Sequence, residues 1–367
     1  MKKVNFLCLI MLGLFFVACH SNDDTWGDWS RGYPFSGRPR TGAVTFTLNG
    51  EVYVGLGRNE DVEEKDKYLT DFWKFNGTRW VSVASFPTYG RAGAVAFVVG
   101  EEGHQVAYVG TGYREYLGDE TYYDDFYTFD GVSWSTIAVT TLPKPADRKN
   151  GGRRDGIAFS LNGKGYVGTG LVSGGMVVND IYCFDPSKSR DAAWSNTEFR
   201  GEPRCGAVAF VIKDKAVVCL GAAAAASGSN FRRDVYTFDG TTWQDREPLY
   251  DQDGRGFDND YNQIPRAYAV AFVSSKDGGV LKGYVATGNG SYPGTCWEYN
   301  IDTDRWDEVT ELPAAMNRRA YAVGFTFNDY GYVTTGGSTM NAPLDIDTWK
   351  FTPGIDEDDD NDYAPRE

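Results

Sequence analysis

One seven-residue phrase constrains this chain more than any other feature: Arg91-Ala92-Gly93-Ala94-Val95-Ala96-Phe97. Related phrases begin at Arg40, Arg153, Arg204, Arg266 and Arg319. All six keep the arginine, an aliphatic residue four places on and a phenylalanine six places on. Successive starts are 51, 62, 51, 62 and 53 residues apart. A repeat of roughly 50 residues is in the range of propeller blades and other repeat arrays, whose units bury their apolar faces only by stacking on one another.

Within one period the chain reads as four short strands. The first repeat runs from Arg40 to Leu48 (strand a), turns at Asn49-Gly50, and continues from Glu51 to Gly57 (strand b). After a variable loop come Asp71 to Phe75 (strand c), a second Asn-Gly turn at Asn76-Gly77, and strand d from Trp80. Asn-Gly between alternating apolar residues is a strong two-residue hairpin signal. Small residues in strand a suit a crowded axis, and the aromatics of c and d suit the wider rim. Aromatic content of 15% and 44 glycines fit many short strands and tight turns. The expected fold is all-β: a propeller of six four-stranded antiparallel blades over residues 26–351. The sixth repeat lacks a tryptophan strand of its own. Trp29 precedes Arg40 by the same interval as Trp80 precedes Arg91, so residues 26–31 are expected to supply the last outer strand and close the ring.

These residues resemble the kelch repeat: paired glycines after an aliphatic strand, a Tyr or Trp strand, then a Trp six to nine residues on. The resemblance spans about Trp26 to Phe351 and implies a kelch-type six-bladed propeller. The fourth repeat departs from it at Cys219 and Ala222. In the fifth, Thr295 replaces the strand-c aspartate.

The N-terminus reads as an address. Lys2 and Lys3 precede an apolar run from Phe6 to Ala18, too short to span a bilayer. Phe16-Val17-Ala18-Cys19 resembles a bacterial lipobox, which implies a signal peptide over 1–18, lipidation of Cys19 and a linker over 19–25. The alternative is an ordinary signal peptide with a chance cysteine. Asp23 and Asp24 resemble a surface-export signal, so the expected location is the cell envelope, as an outer-membrane lipoprotein with export to the surface implied by that resemblance, and with membrane contact through the lipid. The acidic stretch 352–367 is expected to be a solvated, disordered tail.

Formal net charge is −15 and no basic patch stands out, which argues against nucleic acid. Cys183, Cys205, Cys219 and Cys296 fall in strands and read as small buried hydrophobes, with no CxxC pair. His104 lies in an a–b hairpin and His20 in the linker, so a histidine-held copper centre of the galactose oxidase kind is disfavoured. Asp251 to Gly256 only faintly resembles a calcium loop. No metal site or cofactor is expected.

The b–c and d–a connections are long and share one face, where ligands are expected. The six arginines Arg40, Arg91, Arg153, Arg204, Arg266 and Arg319 begin strand a on that face. They are candidate ligand-binding residues, since Arg suits bidentate carboxylate recognition. The competing reading is structural: each arginine pairs with a carboxylate of a neighbouring repeat, such as Asp71, Asp125, Asp180, Asp234 or Asp347. The leading functional expectation is a non-catalytic binding or scaffold module for a protein or glycan partner. The alternative is an enzyme resembling sialate mutarotase, a six-bladed kelch protein that needs only acid–base groups. For that role Glu60, Glu63, Glu115, Asp119 and Asp155 are candidates. No residue is assigned as catalytic.

Overall fold

The computed structural model describes residues 27–146, 148, 150–224, 230–251 and 260–358. The signal segment, Cys19, most of the 251–256 loop and residues 359–367 lie outside the described residues. The chain forms six four-stranded antiparallel sheets arranged as a β-propeller, and the described residues contain three short 3-10 turns and no α-helix. The first blade is Val44–Leu48, Glu51–Gly55, Phe72–Phe75 and Trp80–Val83, paired in sequence order.

The sixth blade is completed from the other end of the chain. Asp28–Arg31 pairs with Thr348–Thr352, placing Trp29 opposite Phe351. Trp29 is buried and lies 4.8 Å from the Phe351 ring and 6.2 Å from Phe272 of the fifth blade. Order continues past the expected boundary at 351. Gly27 N–H donates to Ile355 O at 2.8 Å, and Asp358 N–H to Asp28 Oδ1 at 3.0 Å.

One local expectation is corrected, and one outer strand lies away from its tryptophan. Strand a of the first blade begins at Val44, not Arg40, because Gly42 takes a left-handed turn (φ 59°) before it. In the second blade Trp134 makes only an isolated bridge to Phe129, and the fourth strand is Thr140–Thr141. The Trp134 indole turns to the first blade instead, donating to Ala84 O at 2.9 Å.

Blades pack through the phenylalanine of the repeat. Phe97 of the second blade stacks on Tyr108 of its own strand b, rings 5.0 Å apart, and covers Gly165 of the third. A Cβ at Gly165 would stand 2.0 Å from that ring. Phe210 meets Gly283 in the same way, and Phe272 meets Gly331. Strand-b glycines therefore serve the joint between blades, while the alanines of strand a line an axial channel of about 200 Å3.

Two closed hydrogen-bond circuits bind the blades at the long-loop end. In the inner one, the third residue of each repeat phrase donates its N–H to the carbonyl of the same residue in the preceding blade. Gly42 donates to Tyr321, Gly93 to Gly42, Asp155 to Gly93, Gly206 to Asp155, Tyr268 to Gly206 and Tyr321 to Tyr268, at 2.8–3.2 Å. In the outer one, the glycine after strand b donates to the carbonyl of the next blade's arginine. Gly57 reaches Arg91 and Gly336 reaches Arg40, with four equivalents between, at 2.7–2.9 Å. Every member finds its partner in the neighbouring blade, so the joint leaves none of these backbone groups unmet.

Candidate functional site

All six repeat arginines are fully buried. Their guanidiniums reach outward beneath the loops, across the end of strand b to strand c, rather than lining the channel mouth. Arg40 donates to Asp71 Oδ1 and Oδ2 at 2.8 and 2.7 Å and to Leu56 O at 3.1 Å. Arg91 pairs with Asp125 at 2.5 Å, Arg153 with Asp180 at 2.7 Å, and Arg204 with Asp234. These carboxylates belong to the arginine's own blade, not to a neighbouring repeat. Two partners depart from the sequence expectation. Arg319 pairs with Asp345 at 2.8 Å, because Asp347 is engaged by Arg31 of the closing strand. Among the described residues Arg266 meets no carboxylate. It donates to Thr295 Oγ1 at 2.5 Å and to the carbonyls of Thr295, Ile264, Gln263 and Thr287.

With the arginines below the surface, the face is set by what stands on the inner circuit. That position is left-handed in all six blades, with φ between 54° and 64°. Three blades fill it with glycine, the residue that adopts this conformation without strain. The others carry Asp155, Tyr268 and Tyr321. A non-glycine residue held there is strained, and such residues concentrate at binding and active sites. The three side chains gather over the ring. Asp155 Oδ1 lies over Gly93 and the Tyr268 ring over Gly206, where added Cβ atoms would meet them at 2.5 and 2.8 Å. Tyr268 and Tyr321 lie 4.0 Å apart, and Cys205 Sγ is 3.5 Å from Tyr268 Oη.

Arg154 completes the cluster. Its Nη1 donates to Asp155 Oδ2 at 2.9 Å, and its guanidinium sits 4.9 Å from the Tyr113 ring. Burial pushes the Asp155 carboxyl above its ordinary range, with Arg154 opposing. Burial alone would lower Arg154, but the charge of Asp155 and the hydroxyls of Tyr268 and Tyr122 hold it above its ordinary value. Burial also raises Tyr268 and Tyr321, and lifts Cys205 to about 11. The centre therefore holds a fixed cation, a carboxyl whose ionisation burial disfavours and Arg154 supports, and two phenols. Among the described residues no cluster suits a metal ion.

The other carboxylates considered for acid–base work are spread over the loops. Glu60 lies between Arg58 and Lys67, 2.8 Å from each. Burial would raise it, but these cations hold it below the ordinary range. Glu63 pairs with Lys65 in solvent at 3.0 Å, Glu115 accepts from Tyr113 Oη at 3.0 Å, and Asp119 stands exposed in the 113–122 hairpin. None of them pairs with a repeat arginine. His104 is exposed in its hairpin, and the four described cysteines are buried and free. Sequence reasoning passed over Arg154, Tyr268 and Tyr321. The signal was available, since the third letter of the repeat phrase changes from Gly to Asp or Tyr in three repeats.

Around this centre the same face carries exposed Tyr89, Tyr116, Leu117, Met176, Tyr250 and Tyr292. Several are partnered by cations: Arg114 lies 5.2 Å from both Tyr89 and Tyr116, and Arg233 4.9 Å from Tyr250.

Fold and face together define a six-bladed β-propeller with an aromatic, arginine-bearing loop face. The sequence matches no family model and no curated protein. Among solved structures, that of YjhT is similar, with a TM-score of 0.60 at 18% identity over 86% of this chain and 95% of that one. The likeness carries the fold.

Proposed function

We propose that the chain is a cell-envelope binding module that takes an acidic glycan on its long-loop face. The observation that carries this is the rim of exposed tyrosines, several flanked by arginines, around the Arg154–Asp155 centre. Aromatic rings offer flat apolar faces to the C–H side of a sugar, and arginine suits its carboxylate. The tyrosines are interleaved with charged groups instead of forming one apolar patch, which favours a glycan over a protein partner. The repeat arginines serve this face by holding the strand-c ends from beneath. A glycan screen with the purified chain tests the reading, with acidic oligosaccharides expected to bind and their neutral counterparts to bind more weakly. Binding of neither kind would refute it. The envelope placement rests on the Cys19 segment, and Cys19→Ala should move the protein from the membrane fraction to the soluble fraction.

A second reading has its own support. The buried Asp155 carboxyl, raised above its ordinary range and set beside Tyr268 and Tyr321, could move a proton on an acidic sugar, as a mutarotase-like enzyme would require. Exchange between the anomers of an acidic monosaccharide, followed by NMR, should then accelerate with the protein and lose that acceleration in Asp155→Asn. Exchange at the solvent rate with wild-type protein would exclude it.

A further inference from the structure

Away from the axis, a groove of about 660 Å3 opens between the first and second blades on the long-loop face. That is within the size range of small-molecule sites, about 300–1,000 Å3. Tyr89 stands on its edge, 64% exposed. Trp73 forms part of its wall, with the indole N–H committed to Asp71 Oδ2 at 2.6 Å, so the apolar ring is what it can offer a ligand.

The charges of this groove do not balance. Asp71 is engaged by Arg40 and Trp73, and Lys65 by Glu63. Arg114 and Arg38 line the same groove, and among the described residues neither side chain meets a carboxylate. Arg114 is held in place by Tyr89 and Tyr116, each ring centroid 5.2 Å away, and its Nε–H is buried without an acceptor. Asp66 at the rim offsets only one of these two cations. In a chain of net charge −15, two guanidiniums offset by one carboxylate, beside a tyrosine and a tryptophan, form a local inversion of the field. An ion-paired arginine is occupied. One fixed by aromatic contacts alone is oriented and still has its donors to give.

We infer that this groove is a subsite for one carboxylate-bearing pyranose residue, its ring lying on Tyr89 and Trp73 and its carboxylate taken by Arg114 with Arg38. The inference rests on the reading of the loop face as a glycan-binding surface and assigns the acidic residue of that glycan to a place. Rigid aromatic walls and a pre-oriented guanidinium reduce the ordering that binding would otherwise require.

The test is calorimetric titration of the full-length chain with a glucuronate-terminated disaccharide and, separately, its methyl ester, which keeps the ring and removes the charge. Wild-type protein should bind the acid about tenfold or more tightly than the ester. Arg114→Gln should abolish that preference while leaving ester binding and the melting temperature unchanged. Tyr89→Ala should weaken both ligands. Equal affinity for acid and ester in wild type, or an Arg114→Gln variant whose affinity for the acid stays within about twofold, would overturn the subsite. If Arg114→Gln is neutral while an acidic glycan still binds elsewhere on the face, this subsite falls and the glycan reading stands. If no glycan binds at all, both fall.

Discussion

The first and fifth blades solve the same problem with different chemistry. In the first, Arg40 is clamped by both oxygens of Asp71. In the fifth, Arg266 occupies the equivalent place with Thr295 and four backbone carbonyls around it. Burial, only partly offset by the charge of Glu308, lowers the Arg266 guanidinium to about 10, still charged at neutral pH. The carboxylate is therefore not what puts an arginine at this corner. The constant element is the orphaned carbonyl after strand b, Leu56 O in one blade and Thr287 O in the other, which needs a donor in a place water does not reach. The aspartate is an addition, and it brings pH dependence with it.

The largest effects should come from removing the arginines. Arg40→Met and Arg266→Met should each cost about 3–5 kcal/mol in urea unfolding, since a buried donor set is lost and its acceptors stay behind. A loss under about 1 kcal/mol in either blade would mean that water replaces the guanidinium there.

Double-mutant cycles should then separate the two blades. Coupling between Arg40 and Asp71 should be about 2 kcal/mol, as for charge-assisted bonds, and between Arg266 and Thr295 about 1 kcal/mol. Equal coupling would erase the distinction.

Acid titration sharpens the contrast further. Burial would raise the Asp71 carboxyl, but the hydrogen bonds and charge of Arg40 hold it below its ordinary 3.8. Its contribution is present in full above the unfolded value and is lost as pH falls through the lower folded value. Asp71→Asn should therefore flatten part of the acid limb of stability against pH, and Thr295→Val should not change it. Asp155 has the opposite sign. Its folded value is raised, so stability should decline as pH rises from about 3.8 through that value, and Asp155→Asn should remove the decline. The smallest effect is expected from Thr295→Asp, which gives the fifth blade the first blade's partner and should change stability by no more than about 1 kcal/mol at neutral pH while adding acid sensitivity.

The repeat made the fold legible. Six phrases in register, Asn-Gly turns and the spacing of Trp29 specify blade count, strand order and closure, because those depend on local chain chemistry and on length. The departure at Thr295 was also visible, and it marks the blade that differs. The site was read less well. Arginine at a loop-facing strand start looks available for a ligand, but sequence cannot show that it lies beneath the loops pointing away from the axis. Asp347 sits in register with the other strand-c aspartates, yet Arg31 claims it from more than 300 residues away. Arg154, Tyr268 and Tyr321 were passed over for a related reason. They converge only when the third, fifth and sixth blades meet at the axis, and the cue was a missing glycine instead of a recognisable motif.

The two hydrogen-bond circuits have no first or last member, so neither depends on where the polypeptide begins. The two ends of the propeller are also neighbours, with Gly27 bonded to Ile355 and Asp358 to Asp28. A short linker between them, with new termini opened in the exposed Asn76-Gly77 turn, should yield a circular permutant that retains both circuits and the loop face. The arrangement of six blades is in this sense a property of the ring and not of the order in which the ribosome delivers it.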